Sequence, residues 1–297
     1  MFTAKDVKEL REKTGAGMLD CKKALEACEG NIEKACDWLR EKGIAKAAKK
    51  ESRIAAEGLC QIKVDGNNAV MLEVNSETDF VAKNAEFTNF VDYLADQILA
   101  NEVATVEDVL AINDGGETIN DKLVALVAKI GEKISFRRVQ KITKNDNQSF
   151  GFYKHMGGKI ATVCVVEGLD AEVARDMSMH VTATKPLYIS KNDVPADYIE
   201  KETHIQMELC KNDEKLAGKP EAALAKIVEG KVNKGLKEVC LLDQAYVKDP
   251  GMTVQQYLES KKSGIVCFTR FEVGEGMEKR NDDFAAEVAA AAQAALK

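Results

Sequence analysis

The chain has 297 residues, 45% hydrophobic and 31% charged, with a formal net charge of −7. That length can bury a substantial core and suggests about two domains, and the composition is that of a folded rather than a disordered chain. No apolar run approaches the roughly 20 residues of a membrane span, and the segment Met1-Phe2-Thr3-Ala4-Lys5-Asp6 has no signal-peptide core, so a cytoplasmic protein without a membrane partner is expected. Residues 1–53 carry 13 Lys and Arg against 10 Asp and Glu, and the remainder carries 29 against 39. Such an acidic body argues against a large nucleic-acid footprint, and no direct nucleic-acid binding is expected.

The predicted elements begin with three helices in the first 45 residues. Val7 and Leu10 lie on the first, which stops at Thr14-Gly15-Ala16-Gly17. Leu19, Ala24, Leu25 and Cys28 lie on the second, which ends at Gly30. Asn31 caps the third, with Ile32, Ala35, Trp38 and Leu39 on one face. The basic stretch Lys42, Lys46, Lys49, Lys50 and Arg53 reads either as a contact to RNA phosphates or as a solvated helical connector; the connector is the simpler reading.

Residues 55–185 read as a diverged internal duplication. Gly58 to Val64, a turn at Asp65-Gly66-Asn67-Asn68, and Ala69 to Val74 predict a hairpin followed by a helix from about Asn84. Gly151-Phe152-Tyr153, a turn around Gly157-Gly158, and Ile160 to Val166 predict another, followed by a helix from Asp170 to about Thr182. Each unit is strand, strand, helix, which makes the fold class α+β. Leu123, Leu126, Val127 and Ile130 mark a further helix between them. All four prolines fall at or after Pro186. Beyond it, Ala196–Leu216 and Glu221–Leu241 predict a helical hairpin around Gly218-Lys219-Pro220, with Leu224, Val228, Val232, Leu236 and Val239 as its stripe. Ile265 to Val273 predicts a strand able to complete the second sheet, and an Ala-rich helix follows from about Asp283.

The junction at residues 75–84, Asn75-Ser76-Glu77-Thr78-Asp79-Phe80-Val81-Ala82-Lys83-Asn84, places an aromatic and a carboxylate between strand and helix, where scaffolds present contact residues. A purely structural alternative also stands: Phe80, seven residues before Phe87, extends a buried helical face, with Ser76 and Asp79 as a capping box.

Catalytic signals are weak. The eight cysteines contain no CxxC, and reduced, small buried side chains fit them best; helical-scale spacings at Cys21, Cys28 and Cys36 lack a histidine for a metal site. Gly157-Gly158-Lys159-Ile160 lacks the residues of a P-loop, and Gly274-Glu275-Gly276 is flanked by carboxylates that would repel phosphate. His155, His180 and His204 are scattered, His180 in an apolar helix and His155 beside a turn. No cofactor is expected. An enzyme, an RNA-binding protein and an interaction protein thus compete, and these absences leave a multidomain interaction protein.

Four long strings sharpen that reading: KELREKTGAGMLDCKKAL at 8–25, EVNSETDFVAKN at 73–84, ALVAKIGEKISFRR at 125–138, and RFEVGEGMEK with DFAAEVAA across 270–290. With Met179-His180-Val181, Lys185-Pro186 and KIVEGKVNKGLKEVCLLDQ at 226–244, the chain resembles the bacterial elongation factor Ts family along essentially its whole length. The resemblance implies a non-enzymatic guanine-nucleotide exchange factor that binds elongation factor Tu in its GDP-bound and nucleotide-free forms, with GTP binding resolving the complex.

It further implies a UBA-like three-helix module with its basic linker at 1–54, core subdomains at 55–145 and 146–190 with 263–273, a coiled-coil hairpin at 191–262, and a C-terminal helical module at 274–297. The partner-contact residues it implies are Asp79, Phe80, Thr78 and Val81, with Met18 and Leu19 in the first module and His155 in the second subdomain. Lys159 stands where arginine is common in the family. Whether the complex is a dimer or heterotetramer is left open.

Overall fold

In the computed structural model, which describes residues 2–213, 216 and 219–278, the chain divides into two units. One is built on Met1–Ile142 with Met156–Lys159 and the chain from Phe271 onward; the other comprises Thr143–His155 and Ile160–Arg270. Mixed helix and strand make it α+β. Gly218 of the predicted hairpin turn and the predicted helix from Asp283 lie outside the described residues.

The first unit opens with α1 (Ala4–Thr14), α2 (Met18–Ala27) and α3 (Ile32–Ala48). Their ends follow from capping chemistry: Thr3 and Asp6 form a reciprocal box on α1, Gly15 ends it at φ +64°, and Asn31 accepts the Lys34 amide at 3.0 Å. The backbone amide of Thr3, and then its hydroxyl, hold the Asp6 carboxyl below the usual range. Leu10, Cys21, Ala24, Leu25 and Ala35 form the buried centre.

Strands β1 (Glu57–Asp65) and β2 (Asn68–Ser76) pair antiparallel across a two-residue turn. There follow a single helical turn α4 (Asp79–Ala82), α5 (Ala85–Ala100), α6 (Val106–Ala111), a minimal hairpin of β3 (Asn113–Asp114) and β4 (Glu117–Thr118), α7 (Ile119–Ile130) and β5 (Ile134–Thr143). The strand order is β1-β2-β5, so the sheet is three-stranded rather than the bare hairpin expected. Phe87, Val91, Leu94 and Ile98 of α5 share one core with Val70, Leu72 and Val74 of β2, Leu126 and Val127 of α7, and Phe136 of β5. Helix α3 packs on α7, and Arg40 pairs with Asp121 at 2.9 Å.

Alternation sends Glu73 to the opposite face of β2, where it is fully buried. Its carboxylate accepts from Arg137 Nη1 at 3.0 Å, Arg138 Nε at 2.6 Å, Asn75 Nδ2 at 3.0 Å and the Gly274 amide at 2.8 Å. The Arg138 guanidinium lies 4.0 Å from the ring centroid of Phe271 and donates to the Glu272 carbonyl. One carboxylate thereby ties β2, β5 and the chain after Phe271 together.

In the second unit β6 (Gln148–His155) and β7 (Ile160–Glu167) pair antiparallel, and α8 (Ala171–Thr184) packs on them. The approach is so close that a Cβ at Gly151 would stand 1.8 Å from the Ala174 carbonyl oxygen, which requires glycine there. Helices α9 (Ala196–Lys211) and α10 (Glu221–Val239) pack together over Cys210, Val228, Val232 and Leu236. Both end earlier than their apolar periodicity suggested: α9 stops at Lys211 with Asn212 as its C-cap, and the chain leaves α10 at Cys240 in an extended conformation. The small hairpin of β8 (Ala245–Tyr246) and β9 (Asp249–Thr253), then α11 (Val254–Ser260), precede β10 (Ile265–Glu272), which completes the order β10-β7-β6 as expected.

Two buried polar groups of α8 anchor the small hairpin and α11. Asp176 accepts from the Tyr246 hydroxyl at 2.9 Å, the Tyr257 hydroxyl at 3.0 Å and Lys248 Nζ at 2.5 Å. Burial pulls its carboxyl upward, but Lys248 and the two hydroxyls outweigh that and leave it below the usual range. Burial, with Asp176 beside it, pushes Tyr257 up to about 12. His180 is fully buried; its Nδ1 accepts the Val247 amide at 3.2 Å, so Nε2 carries the proton and donates to Gln244 Oε1 at 2.9 Å. Burial lowers its pKa.

Glu73→Ala removes the carboxylate shared by two mostly shielded guanidinium groups, and should cost about 3 kcal/mol in urea unfolding. His180 gives a pH signature. Its folded pKa lies below the unfolded value near 6.5, so below that pH the unfolded chain takes up a proton that the folded chain resists. Stability should therefore be fully present above about pH 6.5 and fall as pH drops below it, by up to about 1.4 kcal/mol per pH unit. Urea midpoints between pH 7.5 and 5.5 test this, and His180→Gln should flatten the dependence.

Candidate partner-contact site

The chain leaving β2 separates neighbouring side chains sharply. Thr78 is the N-cap of α4, its hydroxyl accepting the Val81 amide at 3.4 Å, while Ser76 Oγ donates to the Thr78 carbonyl at 2.9 Å. The capping box expected between Ser76 and Asp79 is therefore not the one formed. Helix α4 ends at Ala82 with Lys83 as its C-cap, and Asn84 starts α5 afresh by accepting the Glu86 amide at 2.8 Å. That break removes the heptad relation between Phe80 and Phe87. Phe87 is fully buried, Val81 turns inward, and Phe80 is 81% exposed. The buried-face alternative for Phe80 thus fails within this chain.

Asp79 lies beside Phe80 and pairs with Lys83 at 2.7 Å, one turn along. The Lys83 ammonium holds the Asp79 carboxyl below the usual range, so it is a carboxylate at neutral pH. The turn is held from behind. Glu132, in the connection from α7 to β5, accepts the Thr78 amide at 3.0 Å on one oxygen and the Thr78 hydroxyl at 2.7 Å on the other. Glu77 answers in the opposite direction, accepting the Lys133 amide at 2.6 Å and Arg53 Nη1 at 3.2 Å. The resemblance drew attention to the string containing Glu132 without indicating this contact; its only local signal is an acidic residue directly after the Gly131 helix stop.

Met18 and Leu19 occupy the first turn of α2, after the N-cap Gly17, and are 59% and 74% exposed while Cys21, Ala24 and Leu25 point inward. They belong to the same unit as Phe80. His155 is the last residue of β6 in the second unit, exposed, with its ring 6.1 Å from that of Tyr153. Phe152 on the same strand is also exposed. His204 is exposed on α9, and His180 is committed to the buried network described above.

The basic stretch is largely engaged within the chain. Lys46 pairs with Asp20 at 2.8 Å, Arg53 pairs with Glu77, and Lys42 lies 5.3 Å from the Trp38 ring centroid. A cleft of about 640 Å³ in the first unit includes Asp20, Trp38, Arg40, Lys46 and Asp121 in its lining, where Lys46 pairs with Asp20 and Arg40 with Asp121. The Gly274 amide, in the second glycine pair, is committed to Glu73. Among the described residues no three His, Cys, Asp or Glu side chains are grouped to hold a metal ion, and no helix is long and apolar enough to cross a membrane.

A sequence profile described as Elongation factor TS matches residues 77–275, beginning one residue before Thr78. The chain is 53% identical over 290 residues to Elongation factor Ts of Acholeplasma laidlawii (strain PG-8A), covering 97% of this chain and 98% of that protein. The chain belongs to the elongation factor Ts family.

Proposed function

We propose that the chain is a guanine-nucleotide exchange factor for elongation factor Tu, binding its GDP-bound form and stabilising the nucleotide-free form until GTP resolves the complex. Family membership supports the activity. The observation that carries the site is the large aromatic Phe80, 81% exposed between a half-buried carboxylate and the buried Val81 on a turn fixed at both ends. A side chain that contributes so little to its own fold is free to bury itself in a partner.

An exchange factor accelerates release only if it binds the nucleotide-free GTPase better than the GDP-bound one. By linkage, GDP weakens factor binding by the same factor. Each tenfold of coupling requires about 1.4 kcal/mol, so strong exchange concentrates several kcal/mol in a few placed contacts. Phe80 inserts between helices of the partner's GTPase domain, and Asp79 disturbs the magnesium and phosphate environment there. Thr78 and Val81 set the turn that presents them. Met18 and Leu19 make a second contact, and His155 a third on another domain of the partner.

The same reading assigns the finer architecture. The three helices form a UBA-like module at 1–54, the hairpin of α9 and α10 a coiled-coil module within 191–262, and the chain from 274 a C-terminal clamp. No covalent chemistry, cofactor, membrane or nucleic-acid contact is required, and the site of action is the cytoplasm.

Phe80→Ala should lower the rate of stimulated GDP release at least about tenfold while shifting the unfolding free energy by less than about 0.5 kcal/mol, as befits an exposed position. Phe87→Ala, seven residues on, should instead cost about 3–5 kcal/mol of stability. Labelled-GDP release and urea unfolding on both variants read the contrast. An equal loss of stability at Phe80 would return it to the core. At the second contact, Met18→Ala with Leu19→Ala should weaken partner binding by about 1–2 kcal/mol in titration calorimetry with melting unchanged.

A further inference from the structure

Phe80 and Asp79 sit on a helical turn of only four residues, too short to hold its own orientation. Something outside the turn must fix it, and the first unit contains one device that does so. Glu132 uses both carboxylate oxygens on a single residue, the Thr78 amide at 3.0 Å and the Thr78 hydroxyl at 2.7 Å. Thr78 is the residue whose hydroxyl caps the turn, so Glu132 fixes the cap itself. Glu77, immediately before it, accepts the Lys133 amide at 2.6 Å. Two adjacent residues of one loop are therefore crossed with two adjacent residues of the other, each glutamate reaching the opposite backbone. This reciprocal pattern fixes position and direction together, which a single ion pair does not. Arg53, at the end of the connector from α3, then donates to Glu77, so the clamp is continuous with the segment that carries Met18 and Leu19.

We propose that Glu132 is a positioning residue for nucleotide exchange: it touches neither nucleotide nor partner, and holds the Thr78 turn so that Phe80 and Asp79 enter the partner at a fixed angle. The inference rests on the reading of Phe80 as the inserted side chain. Its chemical requirement is length rather than charge. A glutamine in place of Glu132 still offers an acceptor to the Thr78 amide and an amide N–H to the Thr78 hydroxyl. An aspartate keeps the charge but falls one methylene short.

The experiment measures stimulated release of labelled GDP from elongation factor Tu, with unfolding curves recorded on each protein. Glu132→Ala and Glu132→Asp should each lower the maximal rate about tenfold, corresponding to roughly 1.4 kcal/mol of lost positioning, while half-saturation moves less than about twofold. Glu132→Gln should retain the rate to within about twofold. In a Phe80→Ala background, Glu132→Asp should cause a much smaller loss than in the wild-type protein, because Phe80 is gone and Asp79 alone is left to be positioned. Should Glu132→Ala unfold, the Asp and Gln variants decide by themselves. The proposal is overturned if Asp exchanges like wild type, if Gln fails as Asp does, or if the losses from Phe80→Ala and Glu132→Asp multiply. A Phe80→Ala protein that exchanges normally would instead remove the underlying reading of the site, a result distinguishable from all of these.

Discussion

A carboxylate with no solvent exposure governs the first unit. Burying Glu73 in the middle of a strand is costly unless its charge is matched and its lone pairs are filled, and the protein does both with two arginines, an asparagine amide and a backbone N–H. These donors come from β5 and from the chain after Phe271, both distant in sequence from β2. The demand of one buried charge thereby recruits the third strand to the sheet and brings the chain past Phe271 back to it. With that sheet in place, one face is free to accept α5, and the exit of β2 is held steady.

What leaves the exit of β2 is a turn in which rigidity and exposure are deliberately separated. Val81 is buried and Thr78 is bonded on both its amide and its hydroxyl, while Phe80 is almost wholly exposed. In the role proposed for Phe80, an aromatic held before binding gains affinity, since ordering it at the moment of binding would subtract from it. The neighbouring carboxylate pairs with the exposed Lys83, which holds it below the usual range.

The second unit uses buried polarity differently. Asp176 and His180, one turn apart on α8, are satisfied by the small hairpin, α11 and Gln244. The histidine is held neutral by the obligatory amide donor at Nδ1, so it contributes specificity of packing. His155, the last residue of β6, is exposed.

Local chemistry was legible from the amino-acid order. Gly15 and Asn31 mark helix ends because backbone angle and side-chain capping act within a few residues, and the two hairpins follow from apolar alternation about short turns. The stripe Val228, Val232, Leu236 identifies the buried face of α10 for the same reason. The string around Phe80 drew notice as an aromatic and a carboxylate set between strand and helix, and its length and likeness to a family sharpened that reading. Heptad counting from Phe80 to Phe87 misleads, because periodicity carries no phase across the new cap at Asn84. Strand β5 went unread since its polar residues, Arg137 and Arg138, interrupt the alternation in order to reach Glu73. The bond between Thr78 and Glu132 spans 54 positions, and no local propensity encodes which glutamate will meet which cap. Sequence thus determined the elements and their faces, where forces act over one or two turns; the tertiary structure alone decided which charges are buried together and which aromatic is left outside, because those depend on chain segments brought together only by the closed core.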